Sequence, residues 1–203
     1  MSGRSLAAFA KNRIFNPLGM VDTNYIVPES LDPRVVKRPP GAVDIGQVSR
    51  FYQGLDSRQH REKPSAYDGG FSTVMDMAVF GQTLLNNGSY GDARVLSRPA
   101  VSEMTRNQIP GIEAYFFGNQ RPEASWGYGW NIHGNGKWKY YNGSLHSPEA
   151  FGHSGNGGVI LWMDPTYEII VAYFSVVLEI TPQFEPIWAF DLYQNAVFAA
   201  ISD

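Results

Sequence analysis

The side chains best suited to proton transfer or nucleophilic attack lie in a glycine-dense segment from Phe151 to Gly158. Its sequence is Phe-Gly-His-Ser-Gly-Asn-Gly-Gly, so a single imidazole, His153, is followed directly by a hydroxyl, Ser154. Glycines allow a backbone to approach another molecule closely, and imidazole exchanges protons near neutral pH. The segment is therefore the first candidate for a functional site.

One interpretation makes Ser154 a nucleophile, because Gly152-His153-Ser154-Gly155 begins like the Gly-x-Ser-x-Gly nucleophile elbow. The fifth residue is Asn156 instead of glycine, and the residues that follow predict a strand. An elbow needs a strand, a turn and then a helix. A stand-alone hydrolase that uses Ser154 is therefore the weakest of the interpretations.

Composition excludes several other classes of function. The chain has 203 residues, 43% of them hydrophobic and 17% charged, which is typical of a globular domain with a sizeable core. A net charge of -3 without a long Lys/Arg run disfavours nucleic-acid binding. There is no cysteine for a thiolate metal site, and no apolar run approaches a membrane span. We expect no cofactor and no metal.

The remaining polar candidates have structural explanations. His60, His133 and His146 have no surrounding motif and no metal-ligand spacing on one helix, so we predict surface positions for them. Capping spacing accounts for the possible nucleophiles Ser72 and Thr73. Asp76 is interpreted as a cap residue and Asp164 as a turn residue, so they do not form an acid pair.

The segment is continued by two apolar runs, Val159–Met163 and Ile169–Phe174, which are joined at Asp164-Pro165. Runs rich in β-branched and aromatic residues on both sides of a turn predict an antiparallel hairpin. Because both runs are almost wholly apolar, we expect both faces to be covered. A helix from about Phe184 is predicted to pack across this sheet.

A further strand is predicted at Gly127–Ile132, paired with residues 138–141 across the turn at residues 133–136. Its aromatic residues could line a sugar-binding face or pack the sheet, and their alternation favours packing. This set comprises Trp126, Tyr128, Trp130, Trp138, Tyr140 and Tyr141.

Three helices precede these strands in the prediction. The first runs from Ser5 to Ile14, with Pro17 as its stop. The second is capped by Thr73, carries an apolar face and ends at Asn86-Asn87-Gly88. The third is a short helix capped by Ser97. Residues 28–66 are expected to form an irregular surface excursion with little structure of their own, and residues 107–125 a loop. Helices followed by an antiparallel sheet and a closing helix predict an α+β fold.

Several segments resemble the serine β-lactamase-like superfamily in colinear order. This superfamily includes class C β-lactamases, D-alanyl-D-alanine carboxypeptidases and family VIII esterases, and the resemblance implies a β-lactamase/transpeptidase-like fold. The matching segments are Ile14–Thr23, Gly69–Asp76 with Phe80, Arg94–Ser97 with Met104, and Phe151–Gly155 with Gly157, Gly158, Asp164 and Pro165.

The chain departs from this family at its nucleophile. No serine is followed three residues later by lysine, so the family's Ser-x-x-Lys motif is missing from the sequence. Tyr140-Tyr141-Asn142 fits the family's Tyr-x-Asn motif by letter only, because it lies downstream of the helices that it should precede. The resemblance is therefore to the C-terminal part of the family, and residues 1–203 are expected to form a single partial domain.

The resemblance also implies site roles. His153 takes the position of the usual lysine in the family's Lys-Thr-Gly motif, and Ser154 and Gly155 take the next two positions as substrate-binding residues. Asn156 would offer its backbone N–H to an oxyanion. A neutral imidazole carries less charge than an ammonium, which favours ester-like or peptide-like substrates over penicillins.

Two main hypotheses follow. The chain is either the C-terminal portion of a serine hydrolase, with its nucleophile supplied by another segment, or a catalytically inactive remnant or binding module. In the first case its substrate would be a small molecule or peptide. Because the first helix has no predicted mate, we expect self-association or an N-terminal partner fragment. The resemblance implies a periplasmic or extracellular location, although residues 1–5 lack the apolar core of a signal peptide.

Overall fold

The computed structural model describes residues 3–37, 57–67, 69–116, 119–135, 143–155, 158–176 and 187–202. Its centre is a four-stranded antiparallel sheet whose strands lie in chain order. The described residues contain eight strands, four of which form this sheet. They are Ser89–Tyr90 (β1), Ala93–Arg94 (β2), Ala114–Phe116 (β3), Asn119–Arg121 (β4), Asn131–Ile132 (β5), Phe151–Gly155 (β6), Val159–Asp164 (β7) and Ile169–Phe174 (β8). Strands β1–β2 and β3–β4 form two small separate hairpins, and β5 to β8 form the central sheet.

The predicted apolar hairpin is confirmed. Strands β7 and β8 pair in antiparallel register, with Val159 opposite Phe174 and Asp164 opposite Ile169. The C-terminal helix is described from Ile187 to Ala199, and its buried Phe198 packs against Trp162 and other sheet residues. The helix therefore covers one face of the sheet, as expected. The proposed start at Phe184 lies outside the described residues.

Both faces of the sheet are covered, because side chains alternate along each strand. Leu161 and Met163 point to one face, where they pack with Leu84 of the helix Val74–Leu85. Ile160 and Trp162 point to the other face, towards the C-terminal helix. A sheet that is buried on both sides needs apolar residues at successive positions, which explains the unbroken apolar run of β7.

The helix Val74–Leu85 has the predicted N-cap but not the predicted capping box. The side chain of Thr73 accepts a hydrogen bond from Asp76 N at 3.2 Å. Asp76 does not return this bond to the cap, because its Oδ2 accepts from Thr23 Oγ1 at 2.8 Å and from Asp22 N at 3.0 Å. Ser72 Oγ also lies 2.7 Å from Thr23 Oγ1. Asp76 and Ser72 thus fasten the preceding connector to this helix. Asp76 takes part in the predicted cap through its backbone N–H but not through its carboxylate, and Ser72 is not the N-cap residue.

The first helix is longer than predicted. An α-helix, Leu6–Ala10, continues through a π-helical turn, Lys11–Phe15, into a last turn, Asn16–Leu18. The predicted stop at Pro17 is wrong, since the wider π turn before it relieves the clash of a proline ring with the carbonyl four residues earlier. The helix ends at Gly19, whose φ of 70° is left-handed.

Part of the expected surface excursion is ordered. A 3₁₀-helix spans Glu29–Arg34 and a single helical turn spans Arg58–Arg61. The side chain of Arg61 is 4% exposed and its Nε lies 2.8 Å from Asp32 Oδ1. Hydrogen bonds from Arg61 and Arg58 hold the pKa of Asp32 below its usual value. The prediction of little structure is therefore wrong for these residues, and residues 38–56 lie outside the described part of the chain.

Between residues 98 and 132 the structure agrees with the predicted helix and differs from the predicted loop and strand. The helix Arg98–Met104 has Ser97 as its N-cap, as predicted. Residues 107–125 are not all loop, because they contain the β3–β4 hairpin. The strand predicted at residues 127–132 shortens to β5, which pairs with β6 through Ile132 and Phe151. Its predicted partner, residues 138–141, lies outside the described residues.

Candidate active site

The two halves of strand β6 differ in their strand partners. Phe151 and Gly152 pair with β5 on one side and with β7 on the other. His153, Ser154 and Gly155 pair with β7 alone among the residues that the structure describes. Among the described residues, no strand lies along the other edge of this second half, and an unpaired strand edge is where an extended molecule can add.

The two candidate side chains on β6 point to opposite faces of the sheet. His153 is opposite Leu161, on the face covered by the helix Val74–Leu85, and its side chain is exposed. Ser154 is opposite Ile160, on the face of the C-terminal helix, and is half-buried. A serine and its base must come within hydrogen-bonding reach of one another. His153 and Ser154 are therefore not arranged as such a pair.

The strand that follows β6 also removes the context of the nucleophile elbow. After a turn that includes Gly158, the chain continues into β7, which is a strand and not a helix. The sequence-level objection to Ser154 as an elbow nucleophile is thereby confirmed.

A hydrogen bond to the backbone determines which nitrogen of the His153 ring carries a hydrogen. Its Nδ1 lies 2.6 Å from the carbonyl oxygen of Ser154. Because a carbonyl only accepts, Nδ1 carries a hydrogen in this arrangement. In the neutral ring the lone pair is then on Nε2, which can accept a hydrogen bond or a proton. The protonated ring can donate from Nε2 to an oxygen.

Trp126 stands next to this imidazole. The centroids of the two rings are 5.7 Å apart, and their planes are inclined at 60°. The backbone of Trp126 forms an isolated bridge with Asn131, which itself pairs with Gly152 of β6. Trp126 therefore lies on the side of β6 where its second half has no described strand partner.

The aromatic residues that form one set in the sequence have different positions in the structure. Trp130 packs between Phe80 and Phe151, with ring centroids 6.4 and 5.7 Å away, so the packing prediction is confirmed for it. Tyr128 is 57% exposed. Trp126 is the member that lies beside His153, and the alternation in the sequence does not distinguish it from Trp130. Residues 138, 140 and 141 lie outside the described part.

The glycine at position 155 has a structural reason, in addition to the close backbone approach to another molecule that the sequence predicts. A Cβ at this position would collide with the side chain of Val159 on the neighbouring strand. The packing of β6 on β7 therefore favours glycine here. Asn156 lies outside the described residues, so its expected backbone N–H donor stays a prediction.

A cavity of about 550 Å³ opens at the same end of the sheet. Its walls include Val159, which is opposite Gly155, and Phe174, which is opposite Val159. Arg34 also lines it and forms two hydrogen bonds of 2.6 and 2.7 Å with Asp22. These bonds hold the pKa of Asp22 below its usual value. The size suits a small molecule or a peptide segment.

Two histidines that were predicted at the surface are buried at the opposite end of the sheet. His133 and His146 are each 7% exposed. His146 Nε2 lies 2.9 Å from Gln194 Oε1 of the C-terminal helix, and the His146 ring packs 4.2 Å from that of Phe198. The surface prediction is therefore wrong for both, because the covering helix comes from a distant part of the chain. His60 is half-buried near Phe71.

Asp164 is more than a turn residue. Its fully buried side chain accepts hydrogen bonds from Ser147 N at 2.7 Å, Ser147 Oγ at 2.6 Å and Thr166 N at 3.0 Å. Burial acts to raise the pKa of Asp164, but the nearby His146 ring and these hydrogen bonds outweigh it and hold the pKa below its usual value. The prediction that Asp164 and Asp76 form no acid pair is consistent with their separate partners.

Across the described ranges, no helix is long and apolar enough to cross a bilayer. In the same residues, no three His, Asp or Glu side chains converge as metal ligands would.

Relatives in sequence and structure share this architecture. The Beta-lactamase family profile matches residues 1–192. A relative from Escherichia coli K12, named as a candidate D-alanyl-D-alanine carboxypeptidase, is 31% identical over 190 residues, which is 86% of this chain and 41% of the relative. This chain therefore spans less than half the length of that curated relative.

Two solved structures have the same fold at lower identity. A novel penicillin-binding protein homolog from Caulobacter crescentus matches with a TM-score of 0.68 and 21% identity, over 97% of this chain and 53% of that one. A family VIII carboxylesterase matches with a TM-score of 0.68 and 20% identity, over 97% and 52% of the two chains. Together with the profile match over nearly the whole sequence, these similarities establish that the chain belongs to the Beta-lactamase family.

Proposed function

We propose that this chain forms the sheet-edge part of an acyl-serine hydrolase site that acts on ester, amide or β-lactam bonds. The observation that carries the proposal is the second half of β6. There an exposed imidazole, His153, lies beside a strand edge that has no partner among the described residues. Family membership supports the reaction class, and acyl transfer needs an activated nucleophile together with hydrogen-bond donors that hold the oxyanion.

In this proposal His153 is the group on β6 that contacts the substrate. Its Nε2 faces away from the Ser154 carbonyl that Nδ1 occupies, so Nε2 is left to accept from or donate to the substrate. Ser154 and Gly155 contribute backbone to the strand edge, and Asn156 contributes one oxyanion donor. Because a neutral imidazole attracts a carboxylate less than a lysine would, ester-like and peptide-like substrates are favoured over penicillins.

The nucleophile is proposed to come from a polypeptide segment outside this sequence, because no serine here has lysine three residues later. Exposed apolar side chains offer a surface for such a segment. Leu6 is 37% exposed, Phe9 40% and Met75 72%. Burying a large apolar side chain is worth about 1.5–3 kcal/mol, so a partner segment or a second copy of the chain would gain from covering them.

Intact-mass spectrometry with a fluorophosphonate and with a penicillin tests the chemistry. The chain alone should show no stoichiometric adduct, since an unactivated hydroxyl is a poor nucleophile. The genomic sequence upstream of codon 1 should encode Ser-x-x-Lys followed by Tyr-x-Asn. Co-expression of that segment should produce one adduct on its serine, formed more slowly with His153→Ala.

The matched control is Tyr115→Ala, a change of an exposed side chain on β3, which should not change labelling of the assembly. An adduct on the chain alone that maps to Ser154 would contradict the proposal. Sedimentation of the purified chain tests the association. A dilute monomer that binds no hydrophobic dye would show that the exposed apolar residues need no cover.

A second candidate function, an inactive binding module, is favoured by the missing Ser-x-x-Lys motif. The labelling experiment separates it from the first. An upstream segment that assembles with the chain but takes up no fluorophosphonate would favour the binding module.

A further inference from the structure

A second cavity, of about 600 Å³, has walls from the helix Arg98–Met104 and from the first half of β6. Of the residues of β6, Phe151 lines this cavity and His153 does not. Its apolar wall belongs to the central core and includes Leu84, Val101, Ile132 and Phe151. The cavity therefore lies against the buried half of β6, and its volume suits a small molecule.

One hydroxyl at the wall of this cavity has no hydrogen-bond partner within the described part of the chain. Ser125 is 7% exposed, and its backbone carbonyl accepts hydrogen bonds from Ile132 N at 3.0 Å and from Asn131 Nδ2 at 3.4 Å. Its Oγ makes no such bond. This oxygen is 3.1 Å from the point where a Cβ on Gly134 would be, and both residues line the cavity. Because buried hydroxyls are nearly always hydrogen-bonded, Ser125 Oγ is a candidate anchor for a ligand.

The charged side chains at the cavity favour a neutral ligand. Among the described residues that line it, Arg106 is the cation, and its guanidinium donates two hydrogen bonds of 2.6 Å to Glu103. Two carboxylates, those of Glu123 and Glu149, also line the cavity. Since Glu103 already neutralises the guanidinium, the remaining charge is negative and disfavours an anion.

We propose that this cavity binds a small neutral molecule that combines an apolar ring or short chain with one carbonyl or hydroxyl group, and that Ser125 is the polar anchor. The apolar part contacts the core wall. The polar group forms a hydrogen bond with Ser125 Oγ, which can donate to a carbonyl or accept from a hydroxyl. The net effect of one such bond corresponds to about two- to tenfold in affinity. The inference does not depend on the proposed function, because His153 takes no part in it.

The test titrates the complete chain with benzamide, benzoate and toluene. The methyl ¹³C shifts of Val101 and Ile132 report binding in the cavity. Benzamide should bind more tightly than benzoate, which has the same shape but is charged. In Ser125→Ala the affinity ratio of benzamide to toluene should fall about two- to tenfold relative to the unchanged chain. Ser102→Ala is the matched control, because Ser102 lines the same cavity but is exposed, and it should leave the ratio unchanged.

The other outcomes overturn the proposal. Absence of a saturable shift of these methyl groups with any probe would mean that the cavity is not a binding site. The same benzamide-to-toluene ratio in Ser125→Ala as in the unchanged chain would remove the anchor, and tighter binding of benzoate would contradict a neutral ligand. Thermal unfolding of the free protein provides a further check. Ser125→Ala should leave the midpoint unchanged, and a lower midpoint would show that the hydroxyl is used within the fold.

Discussion

The two halves of β6 differ in almost every physical respect, although only five residues form the strand. Phe151 and Gly152 are buried and have strands on both sides. His153 and Gly155 are exposed, and this half pairs with β7 alone within the described residues. The first half is held by the core, and that support fixes the backbone direction of the second half.

This difference indicates how a rigid strand can present a functional edge. A site is most accurately positioned when its residues continue a packed element. We expect the buried half to contribute most of the stability, whereas in the proposed function the exposed half carries the substrate-binding groups. Substitutions in the two halves of β6 test this difference in stability.

The first prediction compares Phe151→Ala with His153→Ala. Phe151 is 4% exposed and packs in the core with Leu84 and Met163, so its truncation should lower the free energy of unfolding by about 3–5 kcal/mol. His153 is exposed, and its change should stay within about 0.5 kcal/mol. Urea unfolding measures both. Equal losses for the two variants would mean that the halves of β6 do not differ as described.

The second prediction concerns the two glycines on β6. A Cβ on Gly152 would collide with the carbonyl of Leu161 and the indole of Trp162, which are held in the sheet. Gly152→Ala should therefore cost about 1–3 kcal/mol, because a packed core does not easily accept an extra methyl group.

Gly155→Ala is the matched variant. Among the described residues, its Cβ would meet only the side chain of Val159, so its cost should be lower than that of Gly152→Ala. Thermal unfolding monitored by circular dichroism compares the two. A larger loss for Gly155→Ala would place the tighter packing in the exposed half, opposite to this expectation.

The third prediction tests the buried end of the sheet through pH. Because folding lowers the pKa of Asp164, this residue stabilises the fold above the ordinary Asp value of 3.8, and the stabilisation is lost as the pH falls through the folded-state pKa. Asp164→Asn should be less stable by about 1–2 kcal/mol at pH 7. The gap between the variant and the wild type should begin to narrow below about pH 4 and close only as the pH falls through the lowered folded-state pKa.

Asp22→Asn is the control for this pH experiment. The pKa of Asp22 is also lowered, by Arg34, but this ion pair is exposed and solvent screens it. Its effect on unfolding should be much smaller than that of Asp164→Asn. A gap for Asp164→Asn that is independent of pH would show that the carboxylate charge does not stabilise this end.

Local sequence patterns predicted much of the fold because helix caps and hairpins form between residues that are close in the sequence. The spacing of Thr73 and Asp76 identified the N-cap of the helix Val74–Leu85, and the left-handed Asn87 and Gly88 end it as expected. The hairpin of β7 and β8 followed from two apolar runs around Asp164-Pro165. In the candidate site, strand periodicity could also have separated His153 from Ser154, because successive side chains alternate between faces.

Contacts between residues that are far apart in the sequence could not be predicted from such local patterns. The partners of Asp76 lie 53 and 54 residues away, and Gln194, which contacts His146, is 48 residues away. A histidine without a local motif resembles a surface residue until a helix from another part of the chain covers it. The separation of Trp126 from Trp130 likewise depends on what packs against each ring.

By itself, then, the sequence determined the α+β class, the caps, the hairpin and the absence of a Ser-x-x-Lys nucleophile, since each is written in residue types and short spacings. The tertiary structure alone decided which half of β6 is buried, why His133 and His146 lie inside, and which tryptophan stands beside His153. Burial and edge exposure are properties of the packed chain, because they depend on which distant segment arrives at each surface.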